Sequence, residues 1–440
     1  MRSVLAHRGV RAFLLVWIGQ VVSLLGSGLT AFALGVWIFQ QTRSTTQYAL
    51  VTFCAAAPPL LVLPLAGPLI DRWNRKRLLI ACDLAGAVST SAVGLLVWAG
   101  ALSVPLACLA VAVTSSATAL QWPTYAATVT TLVPREQLGR ASGMTHLAHA
   151  TSQVLAPLLA GAIIALVGLA GIAAIDLATF LFSTAMLLAA AIPAGPASAE
   201  RQSYWKEVPF GLRYIAGHAG LAALLLMFTA VNFFSEMAAV LFTPMVLGFA
   251  TPAALGTILA VGGLGMIGGG AVMSIWGGFR RPALGAALFA GLSGLGVALV
   301  GLSTSLPLIA AAAAGYFFCL PLMMGSSQVV WQRAVPAGMQ GRVFAMRGAI
   351  AMSAAPLASL AAGPLADGLF EPMMAAGAPA AAIIGPLMGE GPGRGIALIF
   401  VTAGGLSVLA ALAAASYEPL RRLDETSTVS PAPAPAGAPG

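Results

Sequence analysis

Charge is what this chain has least of. Of its 440 residues, 21 are Lys or Arg and 13 are Asp or Glu, 8% in all. Soluble domains carry about 25% charged residues, so an ordinary water-facing surface cannot be built from this composition. Cysteine is scarce too. Cys54, Cys82, Cys108 and Cys319 all fall inside apolar runs, with no CxxC pair, which reads as buried free thiols rather than a disulfide framework or a metal site. The glycine-rich stretch Gly389–Gly395 lacks GK[ST] and a preceding strand, so it is no phosphate loop. No Walker pair occurs, which excludes ATP bound to this chain as an energy source.

What is present is apolar surface: 59% of the residues, with a mean hydropathy of +0.93. Apolar runs of about 20 residues or more cross a bilayer core roughly 30 Å thick. In lipid only helices and closed barrels satisfy their own backbone, and these long runs show no period-2 alternation, so helices are expected. Arg2, Arg8 and Arg11 precede an apolar run in the manner of a signal peptide, but that run extends to about Phe39 and reads as a first span. Twelve spans are predicted: 12–39, 47–70, 78–99, 104–131, 139–168, 171–193, 219–248, 253–277, 283–302, 306–332, 342–370 and 396–416. The longest polar gap divides them into six-helix halves, 1–193 and 219–418. The gap itself, 194–218, interleaves Glu200, Arg201, Lys206, Glu207 and Arg213 with Tyr204, Trp205 and Phe210. It reads as an amphipathic connector on the membrane surface. Residues 419–440 form a tail, Pro/Ala-rich from Ser427, expected to be disordered.

The sparse charges are placed with a bias. If the N-terminus is cytoplasmic, 19 of the 21 Lys and Arg residues fall on that side and only Arg43 and Arg394 on the other. Such a split sets orientation and supports the span count, with both termini cytoplasmic. It also accounts for the net charge of +8 without a nucleic-acid partner.

The halves share a pattern. Val133-Pro134, Gly139-Arg140 and Met144 recur as Val335-Pro336, Gly341-Arg342 and Met346, an offset of 202 residues. Ala156-Pro157-Leu158 runs on to Gly161, and Ala355-Pro356-Leu357 to Gly363. Parallel repeats of this kind place a substrate path at the repeat interface.

One stretch breaks the apolar rule. Gly67–Leu79 puts Asp71 and four bases, Arg72, Arg75, Lys76 and Arg77, between two spans. Gly67-Pro68-Leu69-Ile70-Asp71-Arg72-Trp73-Asn74-Arg75-Lys76-Arg77 resembles the loop 2–3 signature of the major facilitator superfamily. Asn74 stands where that family prefers Gly, a mild change because Asn best tolerates a left-handed backbone. The segments Gln332–Met373, Tyr204–Leu221 and Gly389–Gly395 resemble its macrolide- and siderophore-exporter (enterobactin-type) branch. The resemblance implies an all-α integral membrane fold of twelve helices in two pseudo-symmetric halves. It implies a secondary transporter in a bacterial-type inner membrane: a proton-coupled exporter of small amphipathic or hydrophobic molecules such as a drug, a siderophore or a peptide or polyketide product. An importer or facilitator, or a non-transporting partner of a biosynthetic complex, is the alternative. No cluster of nucleophiles, bases or ligands gathers at one membrane face, so neither catalysis, cofactor nor metal is expected. The expected partners are the small-molecule substrate, protons and the bilayer, with the protein a monomer.

The resemblance also implies site roles. Gly67, Asp71, Arg72, Arg75, Lys76 and Arg77 would form a cytoplasmic latch, with Asp71 facing Arg342 at the start of span 11 and Asp83 among the partners of the bases. The alternative is that the bases only enforce topology. Spans 1, 4, 7 and 10 would line the cavity, presenting Gln20, Gln121, Trp122, Tyr125, Asn232, Phe233, Gln328 and Trp331. Acids inside a bilayer cost about 2.5–3.5 kcal/mol and are functional candidates by default. Taking a carboxyl group out of water favours its protonated form, which suits proton coupling. Glu236 in span 7 is the first candidate carrier, against the reading of a buried acid hydrogen-bonded to a neighbouring helix, and Asp176 in span 6 is the second, against that of a carboxylate tolerated near a helix N-terminus. His146, His149 and Gln153 share one face of span 5. They read either as an aid to a proton path or as a polar stripe between helices.

Overall fold

The computed structural model describes residues 2–134, 137–192, 211–336, 339–375, 377–388 and 393–425. Within these, side chains are not described at 2–8, at 63–72 and at parts of 138–150, 340–345 and 383–387. Among the described residues there is no strand. Span 1 is Arg2–Thr42, span 2 Thr45–Arg72, span 3 Arg75–Trp98 and span 4 Val104–Leu132. Spans 5 and 6 share one helical run, Leu138–Ala189. Spans 7 to 10 are Ala219–Leu247, Pro252–Trp276, Pro282–Gly301 and Leu306–Ala334. Span 11, Gln340–Leu365, continues through a π turn at Ala366–Phe370 into Glu371–Met373, and span 12 is Arg394–Ser416. A short helix, Pro379–Met388, precedes span 12.

Among the described residues eleven helices are long and apolar enough to cross a membrane; the twelfth span comes from a break at Gly168. That residue takes φ 65°, ψ −176°, a conformation open essentially to glycine alone. Ser152 Oγ donates to Leu24 O (3.1 Å) from span 5, while Gly26 of span 1 abuts Asp176 of span 6 and Gly19 abuts Ser183. Spans 5 and 6 therefore pass the same level of span 1 in opposite directions, a hairpin turning at Gly168.

The helix starts follow local chemistry. Proline occupies the first turn of spans 4, 8, 9 and 10, where its missing N–H costs nothing. Thr251 caps span 8 by accepting from Ala254 N (3.3 Å). Asn74 caps span 3 by accepting from Arg77 N (3.2 Å), with φ −66° and ψ 115°. The left-handed backbone expected at Asn74 is thus not adopted. Asn stands there because its side-chain oxygen satisfies an otherwise orphaned helix donor.

We call the end of the bundle where span 1 begins the amino end, and the opposite one the far end. The largest buried cluster sits at the far end and joins Val36, Phe39 and Ala49 to Met237, Leu241, Leu255, Ala358 and Ile399. The other clusters draw on spans 1–6 alone or on the last six spans with their flanking helices. Glycines make the far-end seam close. Gly161 of span 5 meets the Pro252 backbone of span 8, and Gly363 of span 11 meets the Thr46 backbone of span 2. These are the two glycines that end the repeated Ala-Pro-Leu motif, so each copy contacts the opposite group of helices at an equivalent place. The glycines of span 8 serve packing as expected: Gly265 and Gly269 abut the backbone at Ala314 and Phe318 of span 10.

The tail differs from expectation. Glu418–Glu425 is helical, not disordered, and Asp424 is buried. Its carboxylate accepts from Ala283 N (2.8 Å) and Leu284 N (3.2 Å). It thereby supplies span 9 with the cap that Arg281 does not provide. Asp424→Ala is expected to destabilise the solubilised protein by about 1 kcal/mol, read as a lower thermal midpoint; an unchanged midpoint would mean the cap contributes nothing. Residues 426–440 lie outside the described residues, as does the greater part of the connector, 193–210.

Candidate functional site

Each group of six helices carries a polar hollow. The first lies between spans 1, 4, 5 and 6 and is lined by Gln20, Ser27, Gln121, Trp122, Tyr125 and His149, among others, with a volume of about 110 Å³. The second, of about 410 Å³, lies between spans 7, 10 and 11 and is lined by Phe228, Asn232, Gln328, Trp331 and Arg347, among others. Seven of the eight residues expected at the cavity are therefore in these two linings. Phe233 is not. It packs against the far-end cluster and meets Phe234 edge-on, with ring centroids 5.6 Å apart. One residue past Asn232 is a rotation of about 100° round the helix, which turns Phe233 off the hollow's face. A larger hollow, of about 870 Å³, lies on the outside of the bundle between spans 8, 9 and 12, among exposed leucines and away from these groups.

Two buried acids stand one hydrogen bond behind the first hollow. Asp176 is 1% exposed. It accepts from Thr90 Oγ1 (2.9 Å), Thr179 Oγ1 (3.3 Å) and Ser27 Oγ (3.4 Å), and Ser27 is in the hollow's lining. Asp83 is fully buried and accepts from Gln121 Nε2 at 2.6 Å, while its Oδ2 has no partner among the described residues. Gln20 Nε2 donates to Ser183 Oγ (3.1 Å) in the same layer. Asp83 thus does not stand among the partners of the basic loop, as its closeness in sequence suggested. Two turns into span 3 its side chain points inward to span 4.

Two bases of the loop, Arg75 and Lys76, find carbonyls instead. Arg75 Nη1 donates to Ala127 O (2.9 Å), and Lys76 Nζ to Leu188 O (2.9 Å) and Ala190 O (2.8 Å). These last are carbonyls at the C-terminal end of span 6, where a cation is favoured. The side chains of Asp71, Arg72, Arg342 and His146, with the surroundings of Gly67, lie outside the described ones. His149 lines the first hollow and meets Trp122 edge-on, with centroids 4.6 Å apart.

Glu236 is exposed. Leu225, Phe228 and Asn232 line the second hollow from span 7, and helical spacing puts Glu236 one turn further along that face. Among the described residues its carboxylate makes no hydrogen bond or ion pair.

Two further groups were not singled out in the sequence. Arg347 was counted only as a topology charge, yet it lines the second hollow. The offset of 202 residues holds the signal. It maps Tyr125 and Thr145, whose hydroxyls are 3.3 Å apart, onto Ser327 and Arg347, also 3.3 Å apart. The second is Asp367, in the π turn after span 11. Its carboxylate accepts from Ser44 Oγ (3.0 Å), Thr45 N (3.2 Å) and Thr46 N (2.7 Å). It caps span 2 from across the far-end seam, where helix donors and dipole both favour an anion.

A bundle of apolar helices, sealed at one end and holding polar hollows within, defines a multi-pass membrane protein. The profile of the Major Facilitator Superfamily matches residues 16–359, and the chain belongs to that superfamily of transporters. It is similar to macrolide efflux protein A of Streptococcus pyogenes, 24% identical over 361 residues, covering 81% of this chain and 89% of the relative. It is also similar to the multidrug efflux pump Tap of Mycolicibacterium fortuitum, 28% identical over 373 residues, covering 80% and 89%. Among solved structures it shares the fold of a bacterial homologue of the human lysosomal transporter Spinster in an inward-facing, unoccupied conformation. There the TM-score is 0.72 at 15% identity, covering 97% of this chain and 99% of that one. A bacterial homologue of the iron transporter ferroportin, inward-facing, gives 0.67 at 16%, covering 93% and 99%.

Proposed function

We propose that this protein is a proton-coupled exporter of small amphipathic or hydrophobic molecules, of the drug, siderophore or natural-product kind. It works as a monomer by alternating access in a bacterial inner membrane, with the amino end and both termini cytoplasmic, and it is not an enzyme. The observation that carries the reading is the closed far end of the seam. The two groups of helices are joined by a buried cluster and by Asp367 at the far end, beneath which lie the two polar hollows. The names of the efflux relatives support the direction assigned, and the 19:2 charge split supports the orientation in the membrane.

In this reading residues 1–193 and 219–418 rock about the hollows. Gln20, Gln121, Trp122 and Tyr125 on one side, and Asn232, Gln328 and Trp331 on the other, contact the cargo. Glu236 carries the proton, open to the space the cargo enters, and Asp176 is a second carrier reached through Ser27. Asp83 tunes the wall through Gln121. Asp71 and Arg342, with Gly67, Arg72 and the neighbouring bases, latch the cytoplasmic end when the far end opens.

The test is a proteoliposome assay with an imposed pH gradient, screened with a macrolide, a catecholate siderophore and a peptide antibiotic. An interior-acid gradient should drive accumulation of at least one of them in the vesicles, and a protonophore should abolish it. Equilibration indifferent to the gradient would contradict export by proton exchange and favour a facilitator.

A further inference from the structure

The second hollow contains a cation that the transport cycle outlined above leaves without a task. Arg347 Nη1 donates to Gln328 Oε1 (2.9 Å) and Nη2 to Ser327 Oγ (3.3 Å). Its Cζ stands 5.3 Å from the ring centre of Trp331, which is 1% exposed. Both partners and the ring come from span 10, so one helix grips the guanidinium on two edges and one face. Among the described residues no carboxylate pairs with it. Glu236, the acid on the adjoining face of span 7, makes no ion pair.

A guanidinium has five N–H donors in a fixed plane, and two are used here. The remaining ones belong to a group that lines the hollow beside Leu225, Phe228, Asn232 and Met324. In a lining that holds no carboxylate, a partly desolvated guanidinium is stabilised further when an opposite charge arrives. The planar fork suits an oxyanion that can accept two parallel hydrogen bonds. The first half shows what the position looks like without this function: Thr145, the equivalent by the 202-residue offset, bonds Tyr125 through a neutral hydroxyl. A hydroxyl or amide would brace span 11 against span 10 equally well, so bracing alone does not call for a charge.

We propose that Arg347 is the anchor for an anionic group on the cargo, a carboxylate or similar oxyanion carried on an apolar body that lies in the hollow of spans 7, 10 and 11. This rests on the exporter reading and narrows it to organic anions among amphipathic molecules.

The test uses the full chain in nanodiscs of phosphatidylcholine and a matched pair of fluorescent probes, 11-(dansylamino)undecanoic acid and its methyl ester. The wild type should bind the acid tenfold or more tightly than the ester, the size of effect one charged hydrogen-bonded pair gives. Arg347→Gln should bring the acid down to the ester's affinity and leave ester binding unchanged, which also shows that the variant is folded. Arg347→Lys, which keeps the charge and loses the fork, should retain part of the preference. Equal binding of acid and ester by the wild type would overturn the proposal. So would an Arg347→Gln variant that keeps the preference, or one that weakens both probes alike. Repeating the titration with phosphatidylglycerol added separates cargo from lipid: an unchanged acid affinity supports the cargo assignment, and competition by the lipid overturns it. Accumulation of the methyl ester in proteoliposomes under an interior-acid gradient is the independent readout of export. If it survives in Arg347→Gln while the acid's advantage is kept, the anchor fails and export stands; if the wild type accumulates neither probe, the exporter reading itself fails.

Discussion

Asp367→Ala is expected to open the far end. In the wild type one carboxylate satisfies two backbone donors at the start of span 2 and one hydroxyl, all from the opposite group of helices. A helix cap contributes about 1–2 kcal/mol, and hydrogen bonds to a charged group about 1.5–3 kcal/mol each. All of these act only while the seam is closed, so their loss falls entirely on the balance between the two states. A shift of at least tenfold toward the outward-facing form follows from the smaller figure doubled. It would be read as increased labelling of a cysteine placed on the far-end side of the hollow. Asp367→Asn keeps one acceptor and should fall between. Labelling equal to the parent in Asp367→Ala would mean that the apolar cluster alone holds the seam. Gly363→Leu should act in the same direction by a different route, since a Cβ there would stand 2.5 Å from Thr46 Cα.

The second large effect belongs to Glu236. Replacing it with Gln preserves size and hydrogen-bonding capacity and removes the ability to exchange a proton. The variant is expected to lose uphill, pH-driven transport tenfold or more while retaining exchange of labelled for unlabelled cargo, because exchange needs the conformational cycle without net proton movement. The sign on pH follows from the proposed proton exchange. In the wild type, acidifying the side to which cargo is exported should speed transport, because that side loads the carboxylate. In Glu236→Gln the dependence should flatten. Uphill transport that survives unchanged would pass the role to Asp176, held by Thr90, Thr179 and Ser27.

Much of this architecture is legible in the chain because lipid imposes simple rules. Span lengths follow bilayer thickness, and Gly168, at the end of predicted span 5, is where the backbone turns. Seven of the residues expected at the cavity line the two hollows, because a polar or aromatic side chain deep in an apolar helix has few places to go. Phe233 failed that logic, since an aromatic ring is as much at home in the far-end cluster as in a hollow. Asp83 was misread because sequence distance put it beside the basic loop, whereas helix rotation turns it toward Gln121. Asp367 was missed for the opposite reason. Its partners are more than 320 residues away, and no local pattern marks a cap supplied from another helix. Arg347 was hidden by its neighbours, because a basic residue soon after Gly341-Arg342 looks like one more topology charge until span 10 is seen to hold it.

In the proposed cycle the two ends of the bundle open in alternation, with Asp367 holding the far end closed. Distances between paired spin labels follow both ends at once. With the native cysteines replaced, labels at Gln47 and Leu369 report the far end and labels at Trp73 and Pro336 the amino end; all four positions are exposed. In the parent the far-end distance should be short and the amino-end one long, and in Asp367→Ala the first should lengthen as the second shortens. Far-end labels that stay close in Asp367→Ala, or two ends that move independently while transport continues, would contradict it.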